Sequence, residues 1–276
     1  LSSSSAASDV YKRQVACIQF QSEIGNQDKN LEKATRYIEQ ASRENAKLIC
    51  LPESFDHGYQ YSNFTKLKDC KSHITMQVLQ DLASQHQVYI SAGYVYQMGD
   101  KKLNSHGVFC PNGTIHRYTK THLIELLHEN ELFQAGERFV LIDTQIGKIA
   151  PLICYDLRFP EASRNLALAG AEIFIYPSGW PKARIEAWNI LLKSRAIENQ
   201  AYVIGVNHVG LTSELEFFGN SQSIDPLGKV LSLADNIHEE IIYAEIDLSS
   251  ISQLRSSMPV LKHRRPELYS KEVTIV

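Results

Sequence analysis

Three residues of the kinds that cleave amide bonds follow strand-like apolar runs in this sequence: Glu53, Lys120 and Cys154. A cysteine thiol has a pKa of about 8.5, so at neutral pH little of it is the nucleophilic thiolate, and a neighbouring base must take its proton. A carboxylate can take that proton and return it to a leaving amine, and an ammonium can stabilise the oxyanion formed on a carbonyl. The set therefore predicts nucleophilic hydrolysis of an amide.

The chain around Cys154 predicts a sharp turn between a strand and a helix. In ICYDLRFPE, residues 153–161, an apolar run leads into the cysteine, and Pro160 occupies a favoured first-turn position of a helix. Such a turn presents a nucleophile and directs the following backbone N–H, here that of Tyr155, at the reacting oxygen. Pro52 is expected to end the strand before Glu53 in a fixed geometry. We therefore predict that Cys154 is the nucleophile.

Short β-rich segments alternate with helical ones from Val15 onward, which is typical of an α/β protein. The predicted strands are Val15–Phe20, Lys47–Leu51, Val88–Tyr96, Ser105–Cys110, Thr114–Tyr118, Phe139–Ile146, Lys148–Ile153, Glu172–Tyr176, Ala201–Val206, Ser221–Ile224, Lys229–Leu231 and Ile241–Ile246. The predicted helices lie between Asp28 and Asn45, around Met76–Ala83, between Pro160 and Gly170, and over Ile185–Ala196. The pattern predicts one α/β domain whose helices cover β-sheets.

The two ends of the chain differ from its body. Residues 1–14 open with Leu and four serines, and we interpret them as a non-native, linker-like segment. Residues 15–250 are expected to form the domain, and residues 251–276 a C-terminal tail. The charge run Lys262–Arg265 in that tail is expected to be solvated and to lie at a dimer interface.

Composition and charge limit the classes of partner. The 276 residues carry a formal net charge of -3, and no basic tract is longer than Lys262–Arg265, so nucleic acid and anionic membranes are not expected partners. No apolar run approaches the roughly 18 residues of a spanning helix. The five cysteines are widely spaced and contain no C-x-x-C pair, which favours reduced thiols in a cytoplasmic protein over disulfides or a zinc site.

Three short motifs resemble the active-site motifs of the nitrilase (carbon–nitrogen hydrolase) superfamily. They are LPESF at residues 51–55, YTKTHL at 118–123 and ICYDLRFPE at 153–161, and their order and intervals also resemble those of that family. Three further stretches are similar to the ω-amidase branch, whose members hydrolyse 2-oxoglutaramate and related ω-amides. These stretches are HENELFQAG at 128–136, GWPKARIEAW at 179–188 and SRAIENQAYVIGVNHVG at 194–210.

The resemblance implies a role for each matching residue. Glu53 would be the general base and acid, Cys154 the nucleophile, and Lys120 would stabilise the oxyanion together with the N–H of Tyr155. Glu129 matches a second glutamate that lines the site and positions the substrate or the lysine. The resemblance further implies an αββα sandwich, a homodimer, and catalysis without a cofactor or a metal.

Two arginines could set the substrate class. Guanidinium groups bind carboxylates bidentately, so Arg158 and Arg184 would suit a monoamide of a dicarboxylic acid. Arg158 could instead form a structural salt bridge with Asp156 or Glu161, and Arg184 could be a solvated residue of the following helix. Trp180, between Gly179 and Pro181, is expected to form a wall of the pocket.

Other interpretations remain open from the sequence. His57, His122 and His128 lie near the motifs and could form a cysteine–histidine dyad, although none has a papain-like local signature. Sister activities of the same superfamily are N-carbamoyl amidohydrolysis and hydrolysis of deaminated glutathione. A catalytically inactive interaction module is an alternative of another class, against which the intact set of Glu53, Lys120 and Cys154 argues.

Overall fold

The apolar run from Val15 to Ile18 is fully buried and lies in the second strand from one edge of a six-stranded sheet. The computed structural model describes residues 12–65 and 70–269. Its first elements are β1 (Lys12–Gln19), α1 (Gln27–Arg43), β2 (Leu48–Leu51), α2 (Tyr61–Phe64), α3 (Ser72–His86), β3 (Tyr89–Met98), β4 (Lys101–Phe109) and β5 (Ile115–Thr119). Strands β1, β2 and β3 are parallel, whereas β4 and β5 continue the sheet as antiparallel neighbours.

The second half of the chain builds a second six-stranded sheet. Its elements are α4 (Glu129–Leu132), β6 (Ile142–Thr144), β7 (Gly147–Pro151), α5 (Pro160–Leu168), β8 (Ile173–Ser178), α6 (Ile185–Asn199), β9 (Tyr202–Asn207), β10 (Val209–Leu211), β11 (Glu216–Phe218), β12 (Gln222–Ile224), β13 (Val230–Leu233), β14 (Glu240–Asp247), α7 (Leu248–Ser257) and α8 (Pro266–Tyr269). The strand order is β13-β12-β9-β8-β7-β6, and β14 returns to pair with β1 of the first sheet. Strands β10 and β11 form a separate hairpin.

Three apolar clusters show that the layers are stacked as helix, sheet, sheet and helix. Ile38 of α1 and Leu79 of α3 pack on the outer face of the first sheet. Leu166 of α5 and Leu192 of α6 pack on the outer face of the second. The inner faces of the two sheets pack on each other through Val15, Cys17, Leu48, Ile149, Ile173 and Ile204. The predicted αββα sandwich is confirmed.

The local sequence explains why the covering helices form. In α1 the buried residues Leu31, Ala34, Ile38 and Ala41 recur at helical spacing, and the side chain of Asn26 accepts a hydrogen bond from the N–H of Lys29 at the helix start. Over residues 12–65 and 70–269, no helix combines the length and the apolar character that crossing a membrane requires.

The structure differs from the sequence prediction at both ends of the domain. Strand β1 begins at Lys12 rather than Val15, because the main-chain pairing with β14 extends to the Lys12–Asp247 pair. Main-chain hydrogen bonds of this kind do not require apolar side chains. Residues 1–11 lie outside the described residues. Helix α7 runs across the expected domain end at residue 250, because its Ile251 is buried in the core between the sheets. The expected strand Phe139–Ile146 is also shorter and spans only Ile142–Thr144.

Candidate active site

Glu53, Lys120 and Cys154 lie at the ends of three strands and meet in one place. Glu53 follows β2, Lys120 directly follows β5, and Cys154 follows β7. The Nζ of Lys120 is 2.9 Å from Oε1 of Glu53, and both side chains are completely buried. The structure therefore brings together the three residues that the sequence singled out, although they come from different sheets.

Every oxygen of the Glu53 side chain has a defined donor. Oε1 accepts from the side-chain amide of Asn104 at 2.7 Å as well as from Lys120, and Oε2 accepts from the N–H of Gly179 at 2.8 Å. The following residue, Ser54, adopts a left-handed conformation with a φ of 49°, which turns the chain sharply after the carboxylate. The carboxylate of Glu53 is therefore fixed in direction before any substrate binds.

Glu129 completes a buried ion-pair network around Lys120. Its Oε1 accepts from Lys120 Nζ at 2.8 Å and from the hydroxyl of Tyr59 at 2.6 Å, and its Oε2 accepts from the N–H of Ile124 at 2.7 Å. Burial and the negative charge of Glu129 raise the pKa of Tyr59 well above its ordinary value, so its hydroxyl stays protonated and donates. The second glutamate thus holds the lysine together with Glu53.

Cys154 has the strained turn that the sequence predicts. Its φ is 43°, in the left-handed region that a residue with a Cβ enters only at a cost. Asp156 fixes this turn, because its carboxylate accepts from the N–H of Ile153 at 2.9 Å and from the hydroxyl of Tyr118 at 2.8 Å. The ring of His122 also faces Asp156, at 2.7 Å. Asp156 therefore supports the nucleophile and does not touch the reacting atoms.

Electrostatics favour a neutral thiol in the resting site. Burial raises the pKa of Cys154 well above its ordinary value, and the negative charge of Glu53 adds to this effect while Lys120 opposes it. Burial alone would lower the pKa of Lys120, but the charges of Glu129 and Glu53 outweigh burial and raise it. Two carboxylates and one ammonium give the site a net charge of one negative unit. A further negative charge on the sulfur is therefore disfavoured until Glu53 accepts the proton.

An open cleft of about 670 Å³ leads to the sulfur of Cys154. The lining residues that matter for recognition are Tyr155, Arg158, Trp180 and Arg184. The guanidinium of Arg158 lies 4.8 Å from the centre of the Trp180 ring, and the indole N–H of Trp180 donates to the carbonyl of Arg184 at 2.9 Å. Leu123, Ile124, Leu126, Leu127 and Leu215 add an apolar part to the wall.

Comparison with known proteins agrees with this geometry. The model of the carbon–nitrogen hydrolase family matches residues 14–256. The chain belongs to the carbon–nitrogen hydrolase family.

Three relatives of this carbon–nitrogen hydrolase carry names that describe amidases. It is 35% identical to the 2-oxoglutaramate amidase of Bacillus subtilis, over 92% of this chain and 98% of the relative. It is 34% identical to the omega-amidase NIT3 of Saccharomyces cerevisiae, over 94% and 95%. The deaminated glutathione amidase of Dictyostelium discoideum is also 34% identical, over 88% and 91%. The crystal structure of yeast Nit3 superposes with a TM-score of 0.83 and covers 92% of this chain and 97% of its own.

The structure decides between alternatives that the sequence left open for the histidines. His57 faces Asp56 at 3.1 Å, His122 faces Asp156 at 2.7 Å, and His128 faces Glu131 at 2.9 Å. Each ring has a carboxylate as its partner, whereas the side-chain hydrogen bond of Cys154 is with Glu53.

The structure also places the two arginines. The alternative of a salt bridge between Arg158 and Asp156 or Glu161 is not found among the described residues, where the guanidinium packs on Trp180. Arg184 ends a 3-10 turn, Lys182–Arg184, that precedes α6, and it is not part of the helix itself. It is exposed and lines the same cleft.

Sequence reasoning missed several groups that hold the site. Tyr59, Asn104 and the N–H of Gly179 contact Glu53 or Glu129 from distant parts of the chain. Asn104 is a completely buried polar residue of β4 that needs a hydrogen-bond partner, but its burial is evident only from the structure. Within the described parts of the chain, no group of three or more His, Cys, Asp or Glu side chains is arranged to hold a metal ion.

Proposed function

We propose that this carbon–nitrogen hydrolase removes the ω-amide nitrogen of a small dicarboxylic 2-oxo acid, such as 2-oxoglutaramate, as ammonia. The observation that carries the proposal is that the buried thiol of Cys154 shares one cleft with the guanidinium groups of Arg158 and Arg184. A thiol beside a carboxylate supplies amide hydrolysis, and a cation in the cleft selects an anionic substrate. The names of the two ω-amidase relatives support the same choice.

The first half of the proposed reaction forms a thioester. As the Cys154 sulfur bonds to the amide carbon, its proton passes to Glu53. The carbonyl oxygen becomes an oxyanion, which receives hydrogen bonds from Lys120 and from the N–H of Tyr155. Two of the three N–H groups of Lys120 are directed at Glu53 and Glu129, which leaves one for the oxyanion. The intermediate then breaks its C–N bond, and Glu53 returns the proton to the leaving nitrogen.

The second half of the proposed reaction restores the thiol. Water gives a proton to Glu53 while its oxygen attacks the thioester carbon, and the same donors hold the new oxyanion. The C–S bond breaks, the acid product leaves, and the proton on Glu53 returns to Cys154. Glu53, and not Glu129, takes the proton in this scheme, because Glu53 is the carboxylate that makes a side-chain hydrogen bond with Cys154. We assign Glu129 to positioning the ammonium of Lys120.

Substrate selection is proposed to depend on the positive charge of Arg158 and on the flat ring of Trp180. The ring of Trp180 holds the guanidinium of Arg158 by a cation–π contact, and the side chain of Arg158 is only partly exposed. A partly desolvated cation already fixed in direction loses little entropy when it binds a carboxylate. Arg184, which is more exposed, is proposed to make a weaker contribution from the rim of the cleft.

A panel of amides tests the proposal. Ammonia release is measured with 2-oxoglutaramate, succinamate, N-carbamoylputrescine and a simple nitrile, and 2-oxoglutarate release with deaminated glutathione. We expect 2-oxoglutaramate to have the highest kcat/KM. Cys154→Ala is the matched control, which should release no ammonia while its circular dichroism stays that of the parent. Preference for the carbamoyl compound would assign the chain to the N-carbamoyl branch. Preference for deaminated glutathione would favour the activity named for the Dictyostelium relative. Turnover by the alanine variant would exclude the thioester mechanism.

We further propose that the protein is a cytoplasmic homodimer that binds neither nucleic acid nor membranes. Five cysteines without a disulfide among them support a reducing compartment. Ile190 and Ile197 of α6 and Leu168 of α5 expose apolar surface on the outer helix layer, which supports a self-association face. Size-exclusion chromatography with light scattering tests the dimer.

A further inference from the structure

Two buried histidines cross between the two sheets in opposite directions. We propose that His106 and His208 are positioning residues, each of which reaches from one sheet to a main-chain carbonyl at the active-site residue of the other sheet. The proposal rests on the roles proposed above for Glu53 and Cys154, but not on the identity of the substrate.

His106 reaches from the first sheet toward the nucleophile. It lies in β4, is completely buried, and its Nδ1 is 3.0 Å from the carbonyl oxygen of Leu152, two residues before Cys154. A carbonyl only accepts, so Nδ1 must carry the hydrogen, and Nε2 is left to accept from the hydroxyl of Ser91 at 2.6 Å. Burial lowers the pKa of His106 to about 4, despite the opposing hydrogen bond to Leu152, so this neutral tautomer persists at physiological pH.

His208 reaches from the second sheet toward the base. It follows β9, is almost completely buried, and its Nε2 is 2.6 Å from the carbonyl oxygen of Glu53. Nε2 therefore carries the hydrogen. Its Nδ1 is 3.2 Å from the carbonyl oxygen of Phe20 at the end of β1, a longer contact that the neutral ring does not stabilise. Burial lowers the pKa of His208, which keeps the ring neutral.

The two hydrogen bonds fix the position of one sheet relative to the other near Glu53 and Cys154. Glu53 is carried by the first sheet and Cys154 by the second, so sliding of one sheet on the other would separate base and nucleophile. The cores between the sheets are apolar, and apolar packing has no direction. A hydrogen bond from a rigid ring fixes both distance and direction, and each of these bonds is made within two residues of an active-site side chain.

Crossed amide substitutions separate a positioning role from a requirement for a buried polar side chain. The amide nitrogen of asparagine can occupy the place of Nδ1, whereas that of glutamine can occupy the place of Nε2. At position 106, His106→Asn can therefore keep the bond to Leu152, and His106→Gln can keep only the contact with Ser91. At position 208 the order is reversed, because His208→Gln can keep the bond to Glu53 and His208→Asn only the contact with Phe20.

The measurements are kcat and KM for 2-oxoglutaramate, the rate of Cys154 carboxamidomethylation by iodoacetamide followed by peptide mass, and the melting temperature. We expect His106→Gln and His208→Asn to lose about 10- to 100-fold in kcat with a smaller change in KM, because small misplacements of reacting groups cost that much. The other two variants should stay within about threefold of the parent.

The labelling rate should follow the same order as kcat, and it needs no substrate. If the parent releases no ammonia from 2-oxoglutaramate, the proposed function fails while the labelling rates still test the positioning. Because the favourable amide differs between the two positions, a general effect of side-chain size cannot produce the expected order. The same amide being favourable at both positions, or losses that merely follow the melting temperature, would overturn the proposal. If one pair does not fold, the other pair still decides: a difference in labelling rate in the expected direction, without a matching difference in melting temperature, supports the proposal, and equal rates overturn it.

Discussion

The ammonium of Lys120 lies 2.9 Å from Glu53, and neither side chain exposes any surface. Glu129 contacts the same ammonium at 2.8 Å, so one cation serves two buried carboxylates. This arrangement makes Lys120 necessary for stability, in addition to its proposed role at the oxyanion, because each carboxylate would otherwise be an uncompensated buried charge.

Replacement of the lysine should therefore reduce both stability and activity. We expect Lys120→Met to lower the free energy of unfolding by about 3–5 kcal/mol, the usual cost of breaking a buried ion pair by removing one partner. Urea denaturation measures the loss, and ammonia release should be abolished. The double variant Lys120→Met with Glu129→Gln should be more stable than the single variant, since one uncompensated charge is removed. Equal stability of the two variants would contradict the charge argument.

The arginine in the cleft gives a prediction about specificity. Arg158→Gln should raise KM for 2-oxoglutaramate about 10- to 100-fold, because a hydrogen bond to a charged group contributes about 1.5–3 kcal/mol. KM for an uncharged amide such as butyramide should stay unchanged, because that substrate has no carboxylate to lose. Arg138→Gln is the matched control, as Arg138 is exposed and lies outside the lining of this cleft. An equal rise in KM for both substrates would show that Arg158 shapes the cleft but does not bind a carboxylate.

The motif residues and the α/β pattern were predictable from the sequence because both depend on short stretches of chain, whereas the αββα layer order was implied only by the resemblance to the nitrilase superfamily. Strand ends marked by Pro52 and by the turn at Cys154 placed the charged groups, and apolar periodicity placed α1 and the strands. The partners Tyr59, Asn104 and Gly179 were not predictable in this way, because they reach Glu53 and Glu129 only after the sheets have stacked. The packing of Arg158 on Trp180 likewise depends on tertiary contact, whereas the sequence suggested only a substrate carboxylate or the nearby acids as partners of the guanidinium.

A buried thiol outside the active site predicts loss of stability at alkaline pH. Burial raises the pKa of Cys17 from an ordinary 9.0 to about 12, although a hydrogen bond with Ser223 opposes the shift. The folded state thus keeps a proton that the unfolded chain loses above pH 9. The contribution of this thiol is fully present below the unfolded-state value and is lost as pH rises toward 12. The expected slope is about 1.4 kcal/mol of unfolding free energy per pH unit.

Cys17→Ala isolates that contribution. The variant should be less stable than the parent at pH 7 because it leaves a small cavity. Between pH 9 and about 11, its unfolding free energy in urea should fall less steeply than that of the parent, by about 1.4 kcal/mol per pH unit. Below pH 8 the two curves should run parallel. Parallel curves over the whole range would mean that Cys17 does not keep its proton in the folded protein.

A close backbone approach beside the base gives the last prediction. Gly93 of β3 lies against the chain that leaves β2, where its carbonyl accepts from the N–H of Phe55 at 3.0 Å. A Cβ at this position would lie 2.6 Å from the Cα of Glu53 and 3.0 Å from the carbonyl oxygen of Pro52. Both neighbours are main-chain atoms, so Gly93→Ala can be accommodated only if the backbone of Glu53 moves.

We expect Gly93→Ala to lower kcat about 10- to 100-fold, because the carboxylate would shift relative to the thiol of Cys154. Gly99→Ala is the matched control, since a Cβ there has no neighbour within 4 Å. Its φ of 58° is left-handed, so the control should lose about 1–2 kcal/mol of stability without loss of kcat. Ammonia release and urea denaturation on both variants distinguish the two effects. If Gly93→Ala loses stability but keeps the parent kcat, the base does not depend on this contact for its position.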